Sequence, residues 1–348
     1  MKKLLISVLV SAAFIANGQN NEPFETHTFS PVVTASIKSV EATTQNGTIT
    51  VRGNATSGAV VEMFVRLNVS NSWLRTRIRG ESEEIKQILE EEYIVDVGVE
   101  NGKLYAIARP KDQRAQQKLS ISFRITVPER VNSDLRTSNA SIRISNLSGS
   151  QNFRTSNGSV TVENVLGKIV GTTSNGSITV LNSSDEIDLR TSNGSITARN
   201  LKGVVTLRTS NGSVNISNLN GVISTTTSNG SVTATNLNGE LRTTTSNGSV
   251  RLIDVRGSVN ARTTNGGITA TILSAKDFVT LSTTNGNINL TVPSGKGYDV
   301  KARAQRISTS GLANFSGKID GKNLDGRVGT GGTKIDLTTS GRLQLSFD

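Results

Sequence analysis

Residues 190–207 read RTSNGSITARNLKGVVTL, residues 208–225 read RTSNGSVNISNLNGVIST, and residues 226–243 read TTSNGSVTATNLNGELRT. The central Asn of the triplet, which is Ser-Asn-Gly except for Ala140 after the first and Thr264 before the last, falls at Asn139, Asn157, Asn175, Asn193, Asn211, Asn229, Asn247 and Asn265, each step being 18 residues. Asn285 follows after a step of 20. Self-similarity at a fixed period marks a repeat architecture, in which each unit buries its apolar face only by stacking on its neighbours.

Strand residues two apart share a face. Three residues after the Asn stand Ile142, Val160, Ile178, Ile196, Val214, Val232, Val250, Ile268 and Ile288. The columns five after and six before it are also almost entirely apolar, with Ser, Thr, Arg, Asn and Asp between them. One face is therefore expected inside and the other in water. Thr stands two before every Asn, from Thr137 to Thr283, and by parity points inward. The Asn column is expected to point inward too, each amide bonding its equivalent on the next coil. Two turns separate the strands. At Asn-Gly both residues tolerate positive φ. At Asn-Leu-x-Gly the recurring Leu147, Leu201, Leu219 and Leu237 read as inward corner residues.

Asn-Gly is also a hairpin signal, and an antiparallel meander would give the same parity. A meander leaves an apolar face that nothing in residues 139–290 could cover. A solenoid wraps that face around itself and stacks identical side chains about 4.8 Å apart. The expected fold is all-β: a single-stranded parallel β-solenoid, read as a right-handed β-helix of ~18-residue coils, with one short helix in an N-terminal capping region.

The ends are less regular. Lys2, Lys3 and the apolar run Leu4–Ile15 read as a secretory signal cleaved after Gly18. Export to the periplasm, cell surface or medium follows, with no transmembrane anchor after cleavage. Residues 19–135 read as a β-rich cap containing one diverged repeat at Asn46–Val51. Its other strands are Val60–Leu67, Lys103–Ala108 and Leu119–Val127. A helix over Ser82–Tyr93 is expected, capped by Ser82, with Ile85, Ile88 and Leu89 on one face. Residues 136–301 are the regular coils. Residues 302–348 read as terminal coils and a closing cap, where Ser308–Gly311 and Thr338–Gly341 echo the repeat without its Asn.

The repeated Thr-Ser-Asn-Gly-Ser-Val/Ile-x-Val units, with the run Leu119–Pro128 before them, resemble the bacterial "putative adhesin" family of β-strand repeats, a domain of unknown function. The resemblance covers most of the chain after residue 18. It implies a β-solenoid at or outside the cell envelope and brings no catalytic residues.

Composition narrows the chemistry. Aromatics are 4% of 348 residues, which suits a thin aliphatic core rather than one large globular one. No cysteine is present, so disulfides and thiolate metal sites are excluded. The formal charge of +11 falls to 11 − 2 = +9 without Lys2 and Lys3. In an exported chain that charge favours anionic envelope glycans or lipids over nucleic acid. His27 is the lone histidine, and no catalytic, cofactor or metal constellation can be read. Asp185, Glu186 and Asp188 form one acidic cluster, read as a solvated patch where a coil has lost its Asn-Leu-x-Gly turn. A hydroxyl array at Ser159, Ser177, Ser195, Ser213 and Ser231 is interrupted by Arg143, Asn215 and Arg251 in the neighbouring Thr column. The sharpest binding candidate is an outward basic stripe, three residues before the Asn: Arg136, Arg154, Arg190, Arg208 and Arg262. The expected function is a non-enzymatic structural or adhesin-like module. The alternative is a polysaccharide-acting β-helix enzyme, a lyase or hydrolase, which requires paired carboxylates in a groove.

Overall fold

The computed structural model describes residues 25–29, 36–54, 58–68, 81–115 and 118–348. The secretory signal read over residues 1–18 lies outside them, as does the side chain of His27. The regular secondary structure of the described residues is β-strand apart from one helix, Glu81–Glu92. That helix is not long and apolar enough to cross a membrane. Contacts divide the chain into two compact units, residues 1–176 and 177–348.

In unit 2 the coils follow the repeat. Strands Ile196–Arg208, Val214–Thr226 and Val232–Thr244 pair in parallel, Ile196 beside Val214 and Val214 beside Val232. Every residue therefore lies on its counterpart 18 positions away, where a hairpin meander would pair consecutive strands antiparallel. Unit 1 shows the same pairing, Ile142 beside Val160 and Ser133 beside Gln151 beside Ile169. The apolar columns and the corner residues Leu147, Leu201, Leu219 and Leu237 are buried, as parity requires.

The Ser-Asn-Gly corner works differently from the sequence expectation. None of its Asn or Gly residues has positive φ among the described residues. Its Gly is required by space. A Cβ on Gly212 would sit 1.8 Å from the Gly194 carbonyl oxygen, and one on Gly230 would sit 1.9 Å from that of Gly212. The threonine two residues before the Asn satisfies this crowded backbone. Thr227 Oγ1 donates to the Gly212 carbonyl at 3.0 Å and accepts from the Gly230 N–H at 3.2 Å. Thr155, Thr173, Thr209 and Thr245 repeat the arrangement. All are buried.

The asparagine ladder forms on the outside of the corner rather than within it. Asn211 Nδ2 donates to Asn193 Oδ1 at 2.6 Å, and Asn229 to Asn211 at 2.7 Å. Each amide thus bonds the coil before it. Water can reach these exposed amides, so the ladder is bonded without being buried. Positive φ belongs to the other turn, at Asn200 (56°), Asn218 (57°) and Asn236 (54°), each followed three residues on by a Gly with φ above 100°. These Asn stack as a second amide ladder.

The coil at Asp185 keeps this turn, correcting the reading that it was lost. Asn182 retains φ 49°, buried Ser183 replaces the Leu, and Asp185 takes the Gly position at φ 103° beside Gly203. A non-glycine residue in that region is strained.

The diverged repeat at Asn46 is a true corner. Thr44 donates to the Ile121 carbonyl at 2.7 Å, Asn139 donates to Asn46 at 2.7 Å, and Ile49 pairs with Ile142. Its strands Ser39–Thr43 and Ile49–Asn54 lie between two others, the Lys103–Pro110 and Leu119–Pro128 layer on one side and the Asn132–Ser148 coil on the other. Antiparallel strands Val60–Leu67 and Tyr93–Glu100 then cover the outer layer. Helix Glu81–Glu92 buries Ile85 and half-buries Ile88 and Leu89. Ser82 stands within it rather than capping it, and Tyr93 opens the next strand.

In unit 2 the last strands, Thr333–Thr339 and Arg342–Phe347, are likewise inserted. They lie between Ile268–Thr283 with Ile288–Val292 and Tyr298–Arg303 with Arg306–Ser310. Thr339–Gly341 keeps the corner bonds. Ser308–Gly311 does not: it runs along Arg342–Phe347 with Thr309 exposed, because the corner before it is formed at Ala304-Gln305.

Three substitutions, two at the Ser-Asn-Gly corner and one at the positive-φ turn, test these turns by denaturant unfolding. Gly212→Ala is expected to cost about 2–3 kcal/mol through overpacking against backbone, and Thr227→Val about 1–3 kcal/mol through unsatisfied buried groups. Asp185→Gly is expected to raise stability by about 1 kcal/mol by relieving its φ. An equal, small effect of all three would show that neither backbone clearance, hydroxyl bonding nor backbone strain sets the stability of these turns.

Candidate functional site

The five arginines stand at the outward ends of strands that precede the Ser-Asn-Gly corner, and all are exposed. In unit 1, Arg136 lies beside Arg154, and Thr172 follows Arg154. In unit 2, Arg190 lies beside Arg208, Thr226 follows, and Arg262 stands apart next to Thr244. The stripe is therefore two stacked pairs and a single arginine. Adjacent strands bring the paired Cα atoms to about 4.8 Å. Two guanidinium groups held so closely repel each other unless a carboxylate or a bound anion lies near.

Carboxylates relieve one member of each pair. Asp134 takes Arg136 at two points, 2.9 Å at Nη2 and 3.2 Å at Nε, which raises the arginine's already high pKa. Asp188 accepts from Arg208 at 2.7 Å. It thereby bridges to the arginine one coil on, not to Arg190 in its own strand. Arg154, Arg190 and Arg262 carry no ion pair among the described residues. The two aspartates were not picked out as partners in the sequence. The available signal was Asp-x-Arg at Asp134–Arg136 and Asp188–Arg190, two positions that share the outward face.

The carboxylate-rich hollow of unit 2 bears on the enzyme alternative. It measures about 510 Å³ and is lined by Asp299, Asp325 and Asp336 interleaved with Lys301, Arg327 and Lys334. Asp299 faces Arg327 across the antiparallel pair, and Asp325 faces Lys301. The Gly332 N–H and then the Arg327 guanidinium, at 3.2 and 3.1 Å, hold the Asp299 carboxyl below the usual carboxylate range. A glycosidase acid needs the opposite, a carboxyl kept protonated by its surroundings. The alternating charges act as a zipper across the adjacent strands Asn323–Val328, Tyr298–Arg303 and Thr333–Thr339. Among the described residues no cluster of His, Cys, Asp and Glu could hold a metal ion.

No protein-family model matches the chain, and no curated protein matches it. Solved structures that align along most of it include a "putative lipid binding protein" from Parabacteroides distasonis, 12% identical over 93% of this chain and 97% of its own, at a TM-score of 0.35. Others are a "putative adhesin" from Bacteroides fragilis (12% identity, 94% and 98% coverage, TM-score 0.26) and a "putative cell adhesion protein" from Clostridium sporogenes (9%, 94% and 99%, 0.21). With scores below 0.5, none of them assigns a function to this chain.

The zipper has a pH signature. Asp299 has a folded pKa below its unfolded value of about 3.9, so its contribution is present above that value and lost as pH falls through the folded pKa. The melting temperature of Asp299→Asn, compared with the unsubstituted protein from neutral pH down to about pH 2, should show a deficit that closes on acidification. A deficit that stays constant would show that Asp299 does not act through its charge.

Proposed function

We propose that this chain is a non-enzymatic β-solenoid exported to the cell envelope, where it acts as a structural or adhesin-like module and docks anionic glycan or lipid surfaces on its arginine column. In this reading residues 19–135 cap the solenoid, residues 136–301 form its body and residues 302–348 close it. Parallel pairing at an 18-residue offset supports the solenoid. The secretory pattern of residues 1–18 supports export.

The observation that carries the binding role is the incomplete relief of the column. The backbone ladder of unit 1 holds Arg154, and that of unit 2 holds Arg190 and Arg262, exposed and without carboxylate partners among the described residues. Guanidinium groups take carboxylates and phosphates through paired hydrogen bonds. A surface already ordered before contact loses little conformational freedom on docking. Within unit 2 an extended polyanion can engage Arg190 and Arg262 together, which multiplies weak contacts.

Sedimentation with phosphatidylcholine vesicles, with and without phosphatidylglycerol, and with an acidic polysaccharide tests this role. Binding should require the anionic component and weaken as added salt shortens the Debye length from about 10 to about 3 Å. Replacing Arg154, Arg190 and Arg262 together by Ser should weaken it about tenfold, equivalent to about 1.4 kcal/mol. Unchanged binding would overturn the column's role. Cell fractionation tests export separately, and recovery of the chain in the cytoplasm would remove the envelope assignment.

A further inference from the structure

The strands that follow the corner carry a second basic feature, in unit 1, independent of the arginine column. Strand Ile49–Asn54 pairs on one side with Leu119–Pro128 and on the other with Ile142–Ser148. This register puts Arg124 and Arg143 on either side of Thr50. Two strand spacings separate their backbones, about 10 Å. Between them opens a hollow of about 460 Å³, lined also by Thr48, Ser122 and Phe64. That volume lies in the range of small-ligand sites.

The composition of the hollow departs from the repeat where stacking does not require it. In the other coils the position of Arg143 is held by Thr161, Thr179, Thr197, Asn215 and Thr233, with Arg251 the other arginine. The neighbours of Arg143 in register are Thr50 and Thr161, so no carboxylate faces it across either strand. Arg124 lies 4.8 Å over the half-buried Phe64 ring and touches Glu62 only at 3.5 Å, an exposed contact of the kind that a competing anion readily displaces.

We propose that this hollow binds an acidic sugar residue. Its carboxylate would lie between Arg124 and Arg143, its hydroxyls would meet Thr48, Thr50 and Ser122, and its apolar ring face would pack on Phe64. A bare phosphate uses the two guanidinium groups alone. A flexible lipid headgroup offers no ring face to the aromatic side chain. The ring and the row of hydroxyls therefore favour a saccharide.

Calorimetric titration of the full chain with tetragalacturonate tests the site, with maltotetraose and inorganic phosphate as the comparisons. Saturable binding of tetragalacturonate alone is expected. Arg143→Thr installs the residue found in neighbouring coils, so its melting temperature should hold while affinity falls by at least about tenfold. Arg251→Thr, the same repeat position in unit 2, should leave affinity unchanged. Four results would overturn the site: no binding of tetragalacturonate, equal binding of inorganic phosphate, undiminished binding by Arg143→Thr, or an equal loss in Arg251→Thr, which would reduce the effect to general charge.

Discussion

The close approach of backbone at the Ser-Asn-Gly corner governs the fold of both units. Successive coils come so near there that glycine follows the Asn at every corner from Asn157 to Asn285, Ala140 standing only in the coil before them, and a buried threonine hydroxyl must serve a carbonyl of one coil and an N–H of the next. A buried carbonyl or N–H left unpaired would cost more than most side-chain contacts contribute. The corner therefore has to fall at the same place in every coil. The 20-residue step before Asn285 shows how strictly this holds. Its extra residues are absorbed as register shifts between Val250–Thr263 and Ile268–Thr283, on the far side of the coil. Thr283 still donates to the Gly266 carbonyl at 2.7 Å.

A stack held by its corners remains open at its ends, where unpaired strand edges can recruit other chains. Each unit handles its terminus in a similar way. The first coil of unit 1 and the last strands of unit 2 are placed inside the ladder, paired on both sides, and the outer layer is covered by antiparallel strands.

Self-stacking also directs where function can reside. A column of identical neutral side chains gains by repetition, as the amide ladders do, whereas a column of like charges is destabilised by it. The arginines persist because threonines interrupt them and two aspartates pair with them. Where the regular pattern gives way, at Arg143 and in the uncompensated members of the column, packing does not account for the residue chosen. Those positions carry the binding proposals.

Much of the architecture was legible in the sequence because a strict period and side-chain parity both act over short distances. The 18-residue offset, the buried Val, Ile and Leu columns, the inward threonines and the corner leucines all follow from spacing, and so do the positions of the five arginines. Spacing could not show which atoms the stacking brings together. The asparagine amides proved exposed, because at the corner the side chain leaves the parity rule that holds in strands. The glycine after the Asn, as at Gly212 and Gly230, is needed for clearance from the coil beneath and not for its own φ. Gly171 takes its place over the Phe153 ring, which a Cβ would approach to 1.9 Å, and Gln151 occupies a core column by bonding Ser133 and Val131. The pairing of Asp188 with Arg208, the insertion of the terminal strands and the meeting of Arg124 with Arg143 over Thr50 join residues whose separation in sequence has no period. The sequence by itself determined the repeating coil, since that depends on local alternation. Only the tertiary structure decided what meets across coils and at the ends, since those contacts depend on register between distant segments.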